Sequence, residues 1–242
     1  MRLQVENITV CHNKVNIVEN ISFSLESGQV LGLIGPNGCG KSTLMKALIG
    51  AVSKTGETNL ILFNKEIPIT IDELTFGFIP EEPILYEYLS VMSNFQLTSV
   101  SKGIYDNFNE IVNLIRILKL EHLTIRKARS LSQGEKKRLA IGLALVGNPD
   151  VLILDEPHNG LDIDGMAILK SIIRVKSKDH IIILCSHYFS EIESLCSQIL
   201  VLNKGKVFVN DSINSILGQH QSIEKLFNSQ IYKLTDEASF TF

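Results

Sequence analysis

Apolar and polar positions alternate along residues 3–10 and 21–26, the period of strands that wet one face and bury the other. Three other stretches do not alternate: Val30-Leu31-Gly32-Leu33-Ile34, Val151-Leu152-Ile153-Leu154 and Ile181-Ile182-Ile183-Leu184 are apolar throughout. A strand apolar on both faces belongs in the middle of a parallel sheet covered by helices. Leu60-Ile61-Leu62-Phe63 and Thr75-Phe76-Gly77-Phe78-Ile79 read as further strands, while residues 15–20 are given no element. From about residue 88 to 123 the period lengthens, with Ile111, Leu114, Ile115, Leu118 and Leu120 at helical spacing, so residues 83–147 read as a helical insert. Residues 42–49 and 164–175 read as helices, the second as the crossover that two parallel strands require. Residues 199–202 and 207–209, around Lys204-Gly205-Lys206, read as a closing hairpin. The tail from Asp211 reads as a weaker, mostly helical segment.

The expected fold class is therefore α/β. Residues 1–82 and 148–210 form a parallel-sheet core with an N-terminal antiparallel β subdomain, 83–147 an inserted α-helical subdomain, and 211–242 a tail. The 242 residues suffice for one large domain, and 45% hydrophobic content with a mean hydropathy of +0.18 supplies its core. A net charge of −3 and a pI near 6.1 give no reason to expect nucleic acid as a partner. Met1-Arg2-Leu3-Gln4-Val5-Glu6 reads as the start of a strand, not a signal segment. No apolar run approaches the roughly 20 residues that cross a bilayer, so direct membrane insertion is not expected and a membrane role falls to a partner. Cys11, Cys39, Cys185 and Cys196 have no metal-type pairing and point to free thiols in a reducing cytoplasm.

The chemistry begins where the first buried strand ends, at Gly35-Pro36-Asn37-Gly38-Cys39-Gly40-Lys41-Ser42-Thr43. Glycines let the backbone curl so that several N–H groups face one phosphate, and the following helix offers its positive end to the same anion. Lys41 suits the β- and γ-phosphates of a nucleoside triphosphate, and the Ser42 hydroxyl suits Mg²⁺. The second buried strand ends in Asp155-Glu156. Alone, two acids after a strand read as a solvated turn or a helix cap. Beside the phosphate loop, Asp155 reads as a Mg²⁺ ligand, direct or through water, and Glu156 as the acceptor of a proton from attacking water. The third ends in Cys185-Ser186-His187, which places His187 to hydrogen-bond a γ-phosphate. Within the insert, Ser132 and Glu135 have the spacing of a capping box, which is compatible with an anion at the same helix terminus.

Together these residues resemble the nucleotide-binding subunit of an ABC transporter, a P-loop NTPase with a RecA-like core. The resemblance covers about residues 1–210. It rests on the phosphate loop, the signature Leu131-Ser132-Gln133-Gly134-Glu135, residues 151–156, Gly160-Leu161-Asp162, and His187, in that order. It implies ATP and Mg²⁺ as ligands and an ATP-driven homodimer, or a heterodimer with a second ATPase subunit. Ser132, Gln133, Gly134 and Asp162 would serve ATP across that interface. It further implies a separate integral membrane permease, with this subunit cytoplasmic and peripheral on the inner face of the cell membrane. Three positions depart from the family pattern. His12, or less favourably Cys11, stands where an aromatic ring stacks on adenine; an ordinary turn residue is the alternative. Glu81 stands where a glutamine neighbours Mg²⁺. Cys39 lies inside the phosphate loop, either as a tolerated small residue or as a thiol whose alkylation blocks ATP and which ATP protects. Pro80-Glu81-Glu82-Pro83-Ile84-Leu85-Tyr86 and Ser222-Ile223-Glu224-Lys225-Leu226-Phe227 resemble bacterial exporters of drugs, peptide antibiotics or sodium. An importer subunit and a non-transport ATPase of the Fe–S assembly type remain as rival classes.

Overall fold

The unbroken apolar runs are explained by one sheet with packing on both faces. The computed structural model describes residues 1–55, 59–64, 67–69 and 75–232. In chain order, β1 (Arg2–His12), β2 (Val15–Glu26), β3 (Val30–Ile34), α1 (Lys41–Leu48), β4 (Asn59–Asn64), β5 (Ile67–Ile69) and β6 (Phe76–Ile79) come first. The helices α2 (Val91–Ser101), α3 (Phe108–Ile117) and α4 (Gln133–Leu145) follow. Next come β7 (Val151–Asp155), α5 (Ile163–Lys176), β8 (Ile181–Cys185), α6 (Phe189–Leu195), β9 (Gln198–Asn203) and β10 (Lys206–Ser212). The described chain closes with α7 (Ile213–His220), α8 (Ile223–Leu226) and a π-helical stretch, Phe227–Tyr232.

The larger sheet has the order β10-β9-β3-β8-β7-β6, parallel except for β10. Alternate residues of each strand face opposite sides. Val151, Ile153, Ile181 and Ile183 pack toward α1 and the antiparallel sheet β2-β1-β4-β5. Leu152, Leu154, Ile182 and Leu184 pack toward the helical insert and α5. Burying each such side chain fully contributes about 1.5–3 kcal/mol before entropy is counted. The four cysteines are free thiols.

One boundary differs from the sequence reading. β2 runs unbroken from Val15, because β1 and β2 form a hairpin through Asn13 and Lys14, both at positive φ (49° and 66°), as a tight two-residue turn demands. Register shifts between Val5 and Cys11 break the alternation that would have marked residues 15–20. α4 begins at Gln133, as the Ser132–Glu135 capping box expects, and carries Lys137 and Arg138 buried despite their charge. The tail is no appendage: Ile213, Ile216, Ile223, Leu226 and Phe227 are buried in the main core. Residues 233–242 of it lie outside the described residues.

The β6–α4 contact is close enough to test. A Cβ on Gly77 would stand 2.4 Å from the Ala144 carbonyl oxygen and 2.8 Å from the Pro149 ring. Gly77→Ala is therefore expected to destabilise the chain by about 1–3 kcal/mol through overpacking. Gly218→Ala, within α7 with nothing inside 4 Å of the added carbon, is expected to stabilise it by about 0.5–1 kcal/mol. Urea unfolding of the two variants checks the contrast, and a loss no larger at Gly77 would deny the contact.

Candidate functional site

Parallel strands deliver their C-terminal ends to one edge of a sheet. Here β3 ends in the 35–43 loop, β8 in Ser186-His187, β7 in Asp155-Glu156, and β6 in Pro80-Glu81. The ladder sets their relative height, with Asp155 opposite Cys185 and Cys185 opposite Leu33. These ends line one cleft of about 900 Å³.

Along its floor lie Gly35, Asn37, Gly38, Gly40, Lys41, Ser42 and Thr43. Gly40 has φ +106°, and a Cβ there would meet Val18 at 2.5 Å, so both conformation and space demand glycine. No side chain caps α1, whose first turn also lacks an acid, so its positive end is left to the cleft. Lys41 Nζ donates to the carbonyl oxygens of Gly35 (2.8 Å) and Pro36 (3.2 Å), which holds the ammonium against the loop. Cys39 is buried, and burial pushes its thiol above the usual range, only partly offset by Lys41. That is not the accessible, reactive thiol that the alkylation idea requires.

Asp155, Glu81 and Ser42 border the same cleft. Burial raises the Asp155 carboxyl above its ordinary range. The Cys185 thiol and Lys137 pull it down, and Glu81 pushes it further up. Two neighbouring carboxylates and a hydroxyl make a hard oxygen donor set that fits Mg²⁺.

Glu156 sits in the left-handed region at φ +43°, an outlier for a residue with a side chain, and is buried. Its Oε2 accepts from His187 Nδ1 at 2.8 Å and from the His187 backbone N–H at 3.3 Å. Its own N–H donates to Cys185 at 3.0 Å, tying β7 to β8 beyond the ladder. His158, 3.3 Å from Glu156 and 3.0 Å from Glu191, lies edge-on to Tyr188. Burial pushes the Glu191 carboxyl up, but His158 and Ser186 outweigh it and hold it below the usual range.

A second buried group links the insert to this edge. Lys137 Nζ donates to the carbonyl oxygens of Pro80 (3.0 Å), Glu81 (2.7 Å) and Glu156 (3.3 Å). Burial lowers its pKa to about 8, with Asp155, Glu81 and Glu156 opposing the fall.

The remaining expected residues lie elsewhere. Ser132 Oγ accepts from the Glu135 N–H (3.3 Å) while Glu135 Oε2 accepts from the Ser132 N–H (2.7 Å), a complete capping box. Gly134 faces the Gly160 carbonyl, and Gln133 borders a separate cleft of about 600 Å³ with Glu81 and Asn159. Asp162 caps α5 by accepting from Gly165 at 2.7 Å. None of these four lines the 900 Å³ cleft. Nor does His12, which ends β1 at the exposed hairpin turn; the β2 residue on the cleft wall is Ile17. Sequence reading passed over His158, Lys137 and Glu191. The available signals were a histidine two residues beyond an Asp-Glu pair and a glutamate four residues after His187.

The family model described as ABC transporter matches residues 18–159. The lantibiotic transport ATP-binding protein SrtF of Streptococcus pyogenes is 36% identical over 230 residues, which cover 95% of this chain and 97% of that protein. YcbN of Bacillus subtilis, an uncharacterized ABC transporter ATP-binding protein, is 33% identical over 90% of this chain and 72% of its own length. A solved ATP-binding subunit of an ABC transporter superposes with a TM-score of 0.84 at 26% identity, covering 94% of this chain and 98% of its own.

The Lys137 ammonium gives a pH signature. Its proton is held less tightly in the folded chain than in the unfolded one. The unfolded state thus binds more protons between pH about 8 and the ordinary lysine value, and stability rises with pH across that window. Lys137→Met removes this rise and, by stranding the carbonyls, is expected to cost about 1–3 kcal/mol near pH 10. Urea unfolding at pH 7.5 and 10 reads both. A parallel pH profile in wild type and variant would contradict the assignment.

Proposed function

This chain belongs to the ABC transporter family as an ATP-binding subunit, and on that premise we propose how its cleft works and what machine it serves. The β- and γ-phosphates of ATP take the 35–43 loop, against its backbone N–H groups and the positive end of α1. Lys41 swings from the Gly35 and Pro36 carbonyls to the phosphate oxygens. Ser42, Asp155 and Glu81 hold Mg²⁺, which when bound neutralises charge on the β- and γ-phosphates. Glu156 takes the proton of the attacking water, and His187 hydrogen-bonds the γ-phosphate while steadying the Glu156 carboxylate. The observation that carries this reading is the meeting of the loop, Asp155, Glu156 and His187 in one cleft of about 900 Å³.

Two ATPase subunits, identical or not, pair head to tail when ATP binds. Ser132, Gln133 and Gly134 then meet the ATP of the opposite subunit, and Asp162 couples the two sites across the interface. The placement of these residues away from the chain's own cleft supports this reading. The machine served is a separate membrane permease, with this subunit on its cytoplasmic side. No helix among the described residues is long and apolar enough to cross a membrane. Ile84, Tyr86 and Tyr88 are 80%, 58% and 73% exposed at the start of the insert, an apolar surface suited to a permease segment. Export is the favoured direction, supported by the streptococcal relative whose name states lantibiotic transport.

Glu156→Gln is expected to slow ATP hydrolysis by about 10²–10⁴-fold. Nucleotide affinity should stay within a few-fold of wild type, and the ATP-bound dimer should be trapped. Phosphate release, nucleotide titration and light scattering with Mg²⁺-ATP read the three effects. Persistent monomer at saturating ATP would sink the sandwich. Lys41→Ala is expected to lose most triphosphate affinity, and near-normal affinity would move the phosphate site elsewhere.

A further inference from the structure

His158 has an unusual position. It is 8% exposed, with one carboxylate near each ring nitrogen: Glu156 Oε2 at 3.3 Å from Nε2 and Glu191 Oε2 at 3.0 Å from Nδ1. Yet neither nitrogen has a hydrogen-bond partner of acceptable geometry. A neutral imidazole carries one N–H, so facing two carboxylates it turns a lone pair toward one of them. The same Glu156 oxygen meets a second imidazole, His187, whose Nδ1 lies 2.8 Å from it, whose ring packs against Tyr188, and whose side chain is 57% exposed. One ligand atom each from Glu156, His158 and His187 lie within 4.8 Å of one another.

We propose that Glu156, His158 and His187 form a binding site for a zinc-type divalent cation that brakes hydrolysis. Two imidazole nitrogens and one carboxylate oxygen suit Zn²⁺ and disfavour Mg²⁺, which takes oxygen donors. Ligands at about 2.1 Å in a tetrahedral array stand about 3.4 Å apart, so the widest separation closes by up to roughly 1.4 Å. Rotation of the His187 and His158 rings supplies that closure. Glu191, 3.0 Å from Nδ1, is close enough to become the outer carboxylate that orients a metal-bound imidazole once the His158 ring turns to meet the ion. The Ser186 hydroxyl, donating to Glu191 at 3.1 Å, holds that carboxylate in place. The bound ion occupies Glu156 and His187 together, so neither reaches water or phosphate. The braking effect rests on the roles proposed above for those two residues; the binding itself does not.

Equilibrium dialysis with Zn²⁺ alone, without nucleotide, separates the two. Wild type is expected to take up one more equivalent than His158→Asn. Glu191→Gln, which leaves all three ligands in place, should weaken that equivalent by about 10–100-fold. Equal uptake by wild type and a folded His158→Asn overturns the site. If His158→Asn fails to fold, unchanged affinity in Glu191→Gln overturns it instead. In Mg²⁺-ATP hydrolysis, micromolar Zn²⁺ should inhibit wild type at least 10-fold more than His158→Asn. Equal inhibition would overturn the brake. An enzyme with no hydrolysis at all would instead count against the proposed function and leave the dialysis result standing.

Discussion

The hydrogen-bonded register between β3, β8 and β7 underlies everything at the nucleotide edge. Val30 to Leu33 pair with Ile182 to Cys185, and Val151 to Asp155 pair with Ile181 to Cys185, all parallel. A parallel ladder leaves no freedom about which strand ends lie together. A one-residue slip would exchange the two faces of a strand and drive its apolar set out of its own core layer. The same alternation that fills both core layers therefore sets the heights of the phosphate loop, the Asp-Glu pair and His187. Packing and chemistry are one constraint here, which is why unbroken apolar runs end so abruptly in charged residues.

Glu156 concentrates the consequences. Its left-handed backbone carries the chain sharply off the end of β7, and its three polar features go three ways: N–H to β8, carbonyl to Lys137 on α4, carboxylate to His187. An outlier held by that many partners is over-determined by its surroundings, which is the condition under which backbone strain persists. The helical insert meets the sheet edge through this residue and through the β6 loop.

Most of this architecture was legible in the chain, for identifiable reasons. Buried strands such as Ile181-Ile182-Ile183-Leu184 declare themselves because neither face meets water. The loop from Gly35 to Thr43 declares itself because each residue type answers a separate demand of phosphate. What stayed hidden depends on distant partners. Residues 15–20 looked patternless because bulges in β1 shift the register of the hairpin. Lys137, in a run with Glu135, Lys136 and Arg138, carries no local signal of burial, since only the assembled fold supplies three carbonyls around it. His158 was silent because its significance lies in Glu191, distant in sequence and close in space.

The Lys137 contact has a mechanical meaning. A helical insert that leaned gradually away from the sheet would lengthen all three of its hydrogen bonds together, stranding a buried cation and three carbonyls before any water could replace them. Intermediate tilts are thus the least favourable ones. The joint therefore stiffens the insert against small tilts at the edge of the sheet where Glu81 and Glu156 lie.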